Sequence, residues 1–463
     1  MQKSTDITSR KEHYYQITLK YFYMEPYYRF LNRLVTGCEE EASDFGYHPV
    51  WIGSDKAAKA ENKRTSLLYS IETKLKWEFK NTKPWIHNIS DGCIHCGNGQ
   101  WSCLFITGRC NASCFYCPTS QNGLEVPETQ SLLFSDPADY VAYLKHFNFK
   151  AVGISGGEPL LVPDLVLKYL TTIRKTMGNS IYIWLYTNGI SGNRQIFSRL
   201  AIAGLNEIRF DAGASGYNTG LIAEAKGIIP VITVEIPAIP EDIPVLKDKI
   251  AGFIGAGVKN LNLHHLRITK YNSEKMKNRK YSLLHGEKPT IMESELAALE
   301  IMKYVAKNHP ELGVNYCSFH FKNRFQKAGY RRKIARRFAY PGEEITEIGY
   351  LRTIRPVPDN GIPCITLEEL KGSNKSVKAI ELSYRAIILK EPDSRIERID
   401  NWILGNKAYM VREGLILKEV IEGKEIEMYL DMLNKNPDIP PVSEKLFRIW
   451  QCELIETGLR EYF

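Results

Sequence analysis

The chain has 463 residues, 44% apolar and 25% charged, with a formal net charge of +8. That balance suits a folded globular protein with room for two or three domains, or for one barrel with additions. It excludes a membrane-spanning helix, since no apolar run approaches the roughly 20 residues such a helix needs. The charge permits an anionic partner without requiring one. The opening from Met1 to Lys11 is polar and mixed in charge, so no signal peptide is expected.

Residues 1–90 read mainly as a helical extension. Tyr14, Tyr15, Tyr21, Phe22, Tyr23, Tyr27, Tyr28 and Phe30 form an aromatic opening that suits a helical layer packed on the next domain; stacking on nucleobases is the other use of such rings. Residues 57–64 are charged. Leu67, Leu68, Ile71, Leu75 and Trp77 have helical spacing over 67–79, and Pro84 breaks the pattern. From about residue 102 the pattern becomes alternating strand and helix. Apolar runs at 103–107, 151–154, 181–186, 207–210, 231–236 and 260–264 read as strands, with helices at 137–147, 164–176 and 194–203 among them. Alternation of this kind implies a parallel sheet, and six units suit a partial (β/α)6 TIM-type barrel spanning 91–340. A seventh run at 312–317 follows a helix at 292–308. Eight basic residues and no acidic one lie between Lys322 and Arg337, a solvated helix face or a phosphate-binding one. Residues 341–463 read as a small β-rich C-terminal domain, with strands near 347–353, 379–389 and 408–420 and a final helix from about Ser443.

Six of the ten cysteines fall between Cys93 and Cys117, while Cys38, Cys317, Cys364 and Cys452 are dispersed. A secreted disulfide framework would spread its cysteines through a short chain, so reduced thiols in an oxygen-poor cytoplasm are expected. Cys110, Cys114 and Cys117, at spacings of four and three on one short loop, have little core to fill. They can converge on a metal or an iron–sulfur cluster. A tetrahedral zinc site would want a fourth ligand nearby, and 118–123 offer neither Cys nor His. This spacing, with an aromatic before the third cysteine, resembles the signature of the radical S-adenosylmethionine (radical SAM) superfamily. Gly153-Ile154-Ser155-Gly156-Gly157-Glu158-Pro159-Leu160, about forty residues on, resembles that family's GGEP motif.

The resemblance implies a [4Fe–4S] cluster on Cys110, Cys114 and Cys117 whose open iron takes the amino and carboxylate groups of SAM, and an external electron donor such as flavodoxin or ferredoxin. Tyr116 would then lie beside the adenine. Gly156 and Gly157 would let the backbone approach the methionine end, with Glu158 and Pro159 completing the turn and Glu158 suiting the ammonium. In barrels of this type the chemistry sits on loops leaving the carboxyl ends of the strands, which is where both motifs fall. The other strand ends become candidates. Thr187 and Asn188 could meet the SAM carboxylate or ribose, and Asp211 the ribose hydroxyls. Glu235, His264 and His265 are the candidates for work on the substrate. Side chains alternate along a strand, so one of the two histidines is expected to face the cavity and the other to pack outside.

Cys93-Ile94-His95-Cys96 is a half-site for zinc or for iron–sulfur. If Cys103 opens a strand, the seven-residue step to Cys110 covers up to roughly 23 Å, too far for Cys103 to join the first cluster. Cys93 and Cys96 are expected to hold a second centre, with Cys317 as the distant ligand. Unpaired thiols that merely cluster, and zinc in place of iron–sulfur, are the alternatives. The run from Cys93 through Phe115, with Gly204 to Phe210, Leu261-Asn262-Leu263 and Asn315-Tyr316-Cys317-Ser318, is similar to a largely archaeal radical SAM family related to pyruvate formate-lyase activating enzyme. The similarity covers about 90–340 and, more weakly, the tail; it does not reach the first 85 residues. It implies three protein ligands for the auxiliary cluster, with the fourth position open to substrate or filled by Cys103. The expected function is reductive cleavage of SAM to a 5′-deoxyadenosyl radical that abstracts hydrogen from a peptide, protein or nucleotide-derived substrate. Activation of a glycyl-radical partner is the second enzymatic reading, and a metal-containing RNA-binding protein the reading from another class.

Overall fold

The computed structural model describes residues 25–121, 126–358, 361, 363–372, 377–392, 401–434 and 443–463. The expectation for Tyr14 to Tyr23 lies outside them. Seven parallel strands form the central sheet: β3 (Trp101–Phe105), β4 (Ala151–Ser155), β5 (Tyr182–Thr187), β6 (Glu207–Phe210), β7 (Val231–Pro237), β8 (Asn260–His264) and β9 (Gly313–Cys317). Each pairs with the next in sequence. Between them run α3 (Pro137–His146), α4 (Pro163–Met177), α5 (Arg194–Ile202), α6 (Ile243–Gly255) and α7 (Met292–Asn308). This is the expected α/β architecture, a partial TIM-type barrel, with seven parallel strands against six expected units and antiparallel strands at both edges of an eleven-stranded sheet.

A period of two writes the barrel wall. Ile183, Leu185, Ile208, Ile232, Val234, Leu261, Leu263 and Val314 are buried on one side of their strands. The alternate positions, Trp184, Tyr186, Glu207, Arg209, Thr233, Glu235, Asn262, His264, Asn315 and Cys317, share the opposite face, which successive parallel strands turn toward one lumen. Helix starts are set by local chemistry. Asp136 accepts from the Ala138 N–H ahead of α3, which has Pro137 in its first turn, and Asn193 accepts from Ile196 N–H ahead of α5. Each satisfies an amide that the helix itself leaves without an acceptor.

Two expectations are corrected. The helix proposed over 67–79 ends early: α1 spans Ser54–Tyr69, and β1 (Leu75–Glu78) follows, paired antiparallel with β2 (Lys83–Ile86). Leu75 and Trp77 alternate with Lys76 and Glu78, so the same residues satisfy a strand, and β2 continues the sheet by pairing antiparallel with β9. The division near residue 90 is also not where the chain parts. One compact unit comprises 37–330, 389–412 and 457–463. The other takes 25–36 together with the described residues of 331–388 and 413–456. β1, β2 and α1 are therefore part of the barrel unit.

The smaller unit has β10 (Leu351–Val357) antiparallel to β11 (Ala379–Lys390) and a C-terminal helix, Glu444–Glu453, capped by Ser443. Tyr27 and Phe30 pack against its core of Ile354, Leu382, Tyr384, Tyr429 and Trp450. Within that core Arg352 donates to both oxygens of Glu453 at 2.9 Å. The basic run is only partly a solvated face: Arg336 and Arg337 are exposed, while three of its arginines are spent on backbone carbonyls. Arg331 donates to Ile348 O at 2.8 Å and Arg332 to Glu347 O, both inside the smaller unit, while Arg324 of the larger unit is buried and donates to Gly458 O at 3.1 Å. Among the described residues no helix is long and apolar enough to cross a membrane.

Candidate active site

The loop after β3 carries Cys110, Cys114 and Cys117, and the turn after β4 carries Gly156 and Gly157. The two are hydrogen-bonded to each other: Gly157 N–H donates to Thr107 O at 2.8 Å and Glu158 N–H to Arg109 O at 2.7 Å. A Cβ on Gly156, whose φ is +138°, would stand 2.3 Å from Thr107 O, and one on Gly157 would stand 2.2 Å from Arg109 O. The glycines are therefore needed first for the turn to lie against the cysteine loop. Asn188 ties the loop from the other side, donating to Asn111 Oδ1 at 2.7 Å with its Nδ2 4.0 Å from Cys110 Sγ. Asn272 and Lys275 donate to the carbonyls of Tyr116 and Cys114, at 3.0 and 3.4 Å.

These residues rim a cavity of about 600 Å³ at the carboxyl ends of the strands, within the size range of small-molecule sites. Its lining includes Cys110, Cys114, Tyr116, Cys117, Gly156, Gly157, Thr187, Asn188, Asp211, Glu235, His264 and His265. Tyr116 donates its hydroxyl to Asp211 Oδ1 at 2.8 Å. Burial pushes the Asp211 carboxyl up to about 6 against that hydrogen bond, and pushes the Cys114 thiol up to about 11. A thiol raised in this way needs a cation to become a thiolate, which is what a coordinated iron would supply. The donor set of three thiols at a cavity wall fits a cluster with one protein-free iron.

Glu158 does not face the cavity. Fully buried, its carboxylate accepts from Thr187 Oγ1 at 2.7 Å, Asn188 N–H at 2.6 Å and Leu160 N–H at 2.8 Å. It fixes the end of β5 and is not open to an ammonium, and Thr187 is engaged with it. Glu235 is likewise surrounded. It accepts from Arg209 at 2.8 Å, Asn262 at 2.8 Å and His264 Nε2 at 2.7 Å, so it positions its neighbours. Burial works against its charge, yet the His264 and Arg209 groups hold its carboxyl well below the usual range. Burial, with Lys322 nearby, lowers His264 to about 4. The ring is therefore neutral: Nε2–H donates to Glu235 and Nδ1 accepts from Lys322 Nζ at 2.9 Å. His265 packs behind the strand with Nε2 3.0 Å from Ile291 O and its ring 5.8 Å from that of Tyr316. Both histidines nevertheless border the cavity, so the expected division between lumen and outside is not clean.

Cys93, Cys96 and Cys317 are near enough to act on one another electrostatically, although among the described residues no three such side chains are spaced to hold a metal ion. Cys93 and Cys96 lie one turn apart on α2 (Asp91–Gly97), whose cap Ser90 accepts from both Cys93 N–H and Arg209. Asn262 Nδ2 is 3.4 Å from Cys93 Sγ, and Gln326 Nε2 is 2.8 Å from Cys96 Sγ. The Lys83 ammonium is fully buried against Cys317, Cys93 and Cys96 and lies 4.6 Å over the Phe321 ring. Burial works against its charge, yet those thiols raise its pKa. Cys103 stands apart, mid-strand on β3, with Ser155 and Glu235 as its neighbours and burial raising it to about 12. Lys83, Arg209, Asn262, Asn315, Lys322 and Gln326 were not among the expected site residues. Glu207/Arg209, Asn262/His264 and Asn315/Cys317, polar pairs two apart in otherwise apolar strands, were the legible signal for a polar lumen.

Residues 104–214 match the family model described as the Radical SAM superfamily. Over 348 residues the chain is 28% identical to a Methanocaldococcus jannaschii protein named "Putative glycyl-radical enzyme activating enzyme", covering 72% of this chain and 84% of that one. It is 31% identical over 109 residues to the GTP 3′,8-cyclase of Desulforamulus reducens, spanning 23% of this chain and about a third of that protein, 32%. The FeFe-hydrogenase maturase HydG from Carboxydothermus hydrogenoformans is 12% identical, with a TM-score of 0.33 over 68% of this chain and 71% of that one. That superposition is too loose to speak for shared function.

Proposed function

Because this chain is a radical SAM enzyme, we propose that it binds a [4Fe–4S] cluster on Cys110, Cys114 and Cys117, cleaves SAM reductively, and abstracts hydrogen from a substrate held beside β7 and β8. The single observation that carries the reading is the direct hydrogen bonding of the cysteine loop to the Gly156-Gly157 turn at the rim of one cavity. When bound, the cluster and SAM together supply the electron transfer that yields methionine and a 5′-deoxyadenosyl radical. The chain's own residues hold and orient. Asn188 and the carbonyl-linked Asn272 fix the loop, Tyr116 and Asp211 present a hydrogen-bonded pair to a nucleoside, and Glu158 braces β5 from behind. The His264–Glu235–Arg209 network stiffens the opposite wall, which favours a substrate pose set by rigid strands over one set by mobile loops.

A second iron–sulfur centre on Cys93, Cys96 and Cys317 is part of the proposal. It is supported by the electrostatic proximity of those thiols to one another and to Lys83, with amide donors aimed at two of them. Such donors are the outer-shell groups that tune iron–sulfur potentials. Cys103 is left outside this ligand set. An external reductant such as flavodoxin or ferredoxin would deliver the electron, in a reducing cytoplasm. The likeness to the Methanocaldococcus jannaschii protein favours one further reading, activation of a glycyl-radical enzyme, with a protein as substrate.

Cys114→Ala is expected to abolish 5′-deoxyadenosine release from SAM under dithionite while leaving the chain folded by circular dichroism. Retained release would remove the assignment. Electron paramagnetic resonance after mixing with a glycyl-radical protein separates the two substrate readings, since only an activase leaves a radical on the partner.

A further inference from the structure

The wall of the cavity formed by the β8 end and the segment after β9 is cationic, and its charges are incompletely matched. Arg267, three residues past β8, lines the cavity and stands half-buried with its guanidinium 5.3 Å over the Phe319 ring. Among the described residues its N–H groups meet no acceptor and no carboxylate within ion-pair distance. Burial lowers its pKa, with only the more distant Glu41 opposing. Lys322 also lines the cavity, and its ammonium donates to His264 Nδ1, an uncharged partner. Among the described residues no carboxylate pairs with it directly, and Glu235 reaches it only through the His264 ring. Lys288 is the contrasting case, paired with Glu41 at 2.8 Å.

The carboxylates of the cavity do not redress this. Asp211 sits with Tyr116, and Glu235, which shares Arg209 with Glu207, reaches Lys322 only through His264 and does not reach Arg267. A guanidinium held on an aromatic face with its donors unused presents a planar fork of the kind that carboxylates and phosphates fill bidentately. Lys322 belongs to a π-helical turn, Lys322–Gln326, a distortion that recurs where helices carry functional side chains.

We propose that the substrate carries an anionic group, a carboxylate or a phosphate, which seats on Arg267 with Lys322 lining the same cavity. The proposal rests on the reading that SAM is cleaved in this cavity, and it adds the chemical class of what is bound there. Specificity then comes from charge and planarity at Arg267, while the reacting carbon lies toward the thiol loop.

The test is calorimetric. Anaerobically reconstituted, SAM-loaded protein is titrated with succinate, pyrophosphate and, as a cationic control, spermidine. Wild-type protein should bind one of the two anions and not spermidine. Arg267→Gln should weaken that binding about ten- to a hundredfold, the loss of a charge-assisted pair, and Arg267→Lys should fall between. Which anion binds tells a carboxylate substrate from a phosphorylated one. SAM affinity and unproductive 5′-deoxyadenosine release should stay within about twofold, a spread small beside the tenfold that one such bond is worth. Binding of neither anion, equal binding by Arg267→Gln, or a matching loss of SAM affinity overturns the proposal. In the last case the guanidinium serves SAM itself. A reconstituted protein that cannot cleave SAM fails the underlying reading instead, and anion titration still reports on Arg267.

Discussion

A carboxylate buried beside a guanidinium makes stability depend on acidity, and Glu287 is the sharpest case. Its Oε2 accepts from His320 at 2.7 Å and from Arg460 at 2.8 Å, and Oε1 accepts from Arg460 at 2.9 Å. Burial opposes its charge, yet Arg460 and His320 hold its carboxyl well below the usual carboxylate range. A depressed carboxyl contributes stability that is present above the unfolded value of about 4.3 and is lost as pH falls toward the folded one. Glu287→Gln should therefore cost about 3 kcal/mol near neutrality. The gap from wild type, measured by urea unfolding at successive pH values, should close as pH drops below about 4. A gap independent of pH would contradict the ion pair. Single residues were unevenly legible in the sequence. Cys110, Cys114 and Cys117 announce themselves by spacing. Glu158 does not: its motif suggests contact with the ligand, while three N–H and O–H donors hold it inside. Lys83 and Arg267 gave no signal at all, because a lone basic residue reads as surface until its neighbours are known.

Elements were read better than residues because periodicity averages over many side chains. β4 to β8 lie within a residue or two of their expected places. The failure at 67–79 arose where Leu75 and Trp77 satisfy helix and strand alike, and the choice was made by β2, a partner the local pattern cannot reveal. Close approach between elements is the other feature invisible to periodicity. The β3 loop and the β4 turn touch through backbone alone, so a single methyl group tests their contact. Gly157→Ala has no left-handed φ to blame and must push Arg109 O away from 2.2 Å. We expect iron to fall by about four per chain, one cubane's worth, with the fold kept and unfolding free energy lowered by about 1–3 kcal/mol, the usual cost of overpacking. Unchanged iron content would mean the loop can hold its cluster without the turn.

At the scale of the whole molecule, one barrel lumen carries two sets of thiols. The set at the rim borders the cavity, and the other, on α2 and the end of β9, surrounds Lys83. Between them runs Glu207–Arg209–Glu235–Asn262, a buried chain of ion pairs and amides linked at 2.8 to 3.0 Å. Half-satisfied networks of this kind are costly, so its completeness argues that the lumen is built to be polar. Parallel-strand alternation made the barrel legible, and the motif order made the rim legible. The proximity of Cys317 to Cys93 and Cys96 depends on a strand more than two hundred residues away.

Anaerobic iron and acid-labile sulfide counts, taken with SAM cleavage on the same samples, test the account most directly. Wild-type protein should hold about eight irons per chain, the sum of two cubanes. Cys93→Ala with Cys96→Ala should hold about four and still cleave SAM, whereas Cys114→Ala should also hold about four and not cleave it. Eight irons in either variant, or SAM cleavage by Cys114→Ala, would contradict the assignment of the rim thiols to the cluster that activates SAM.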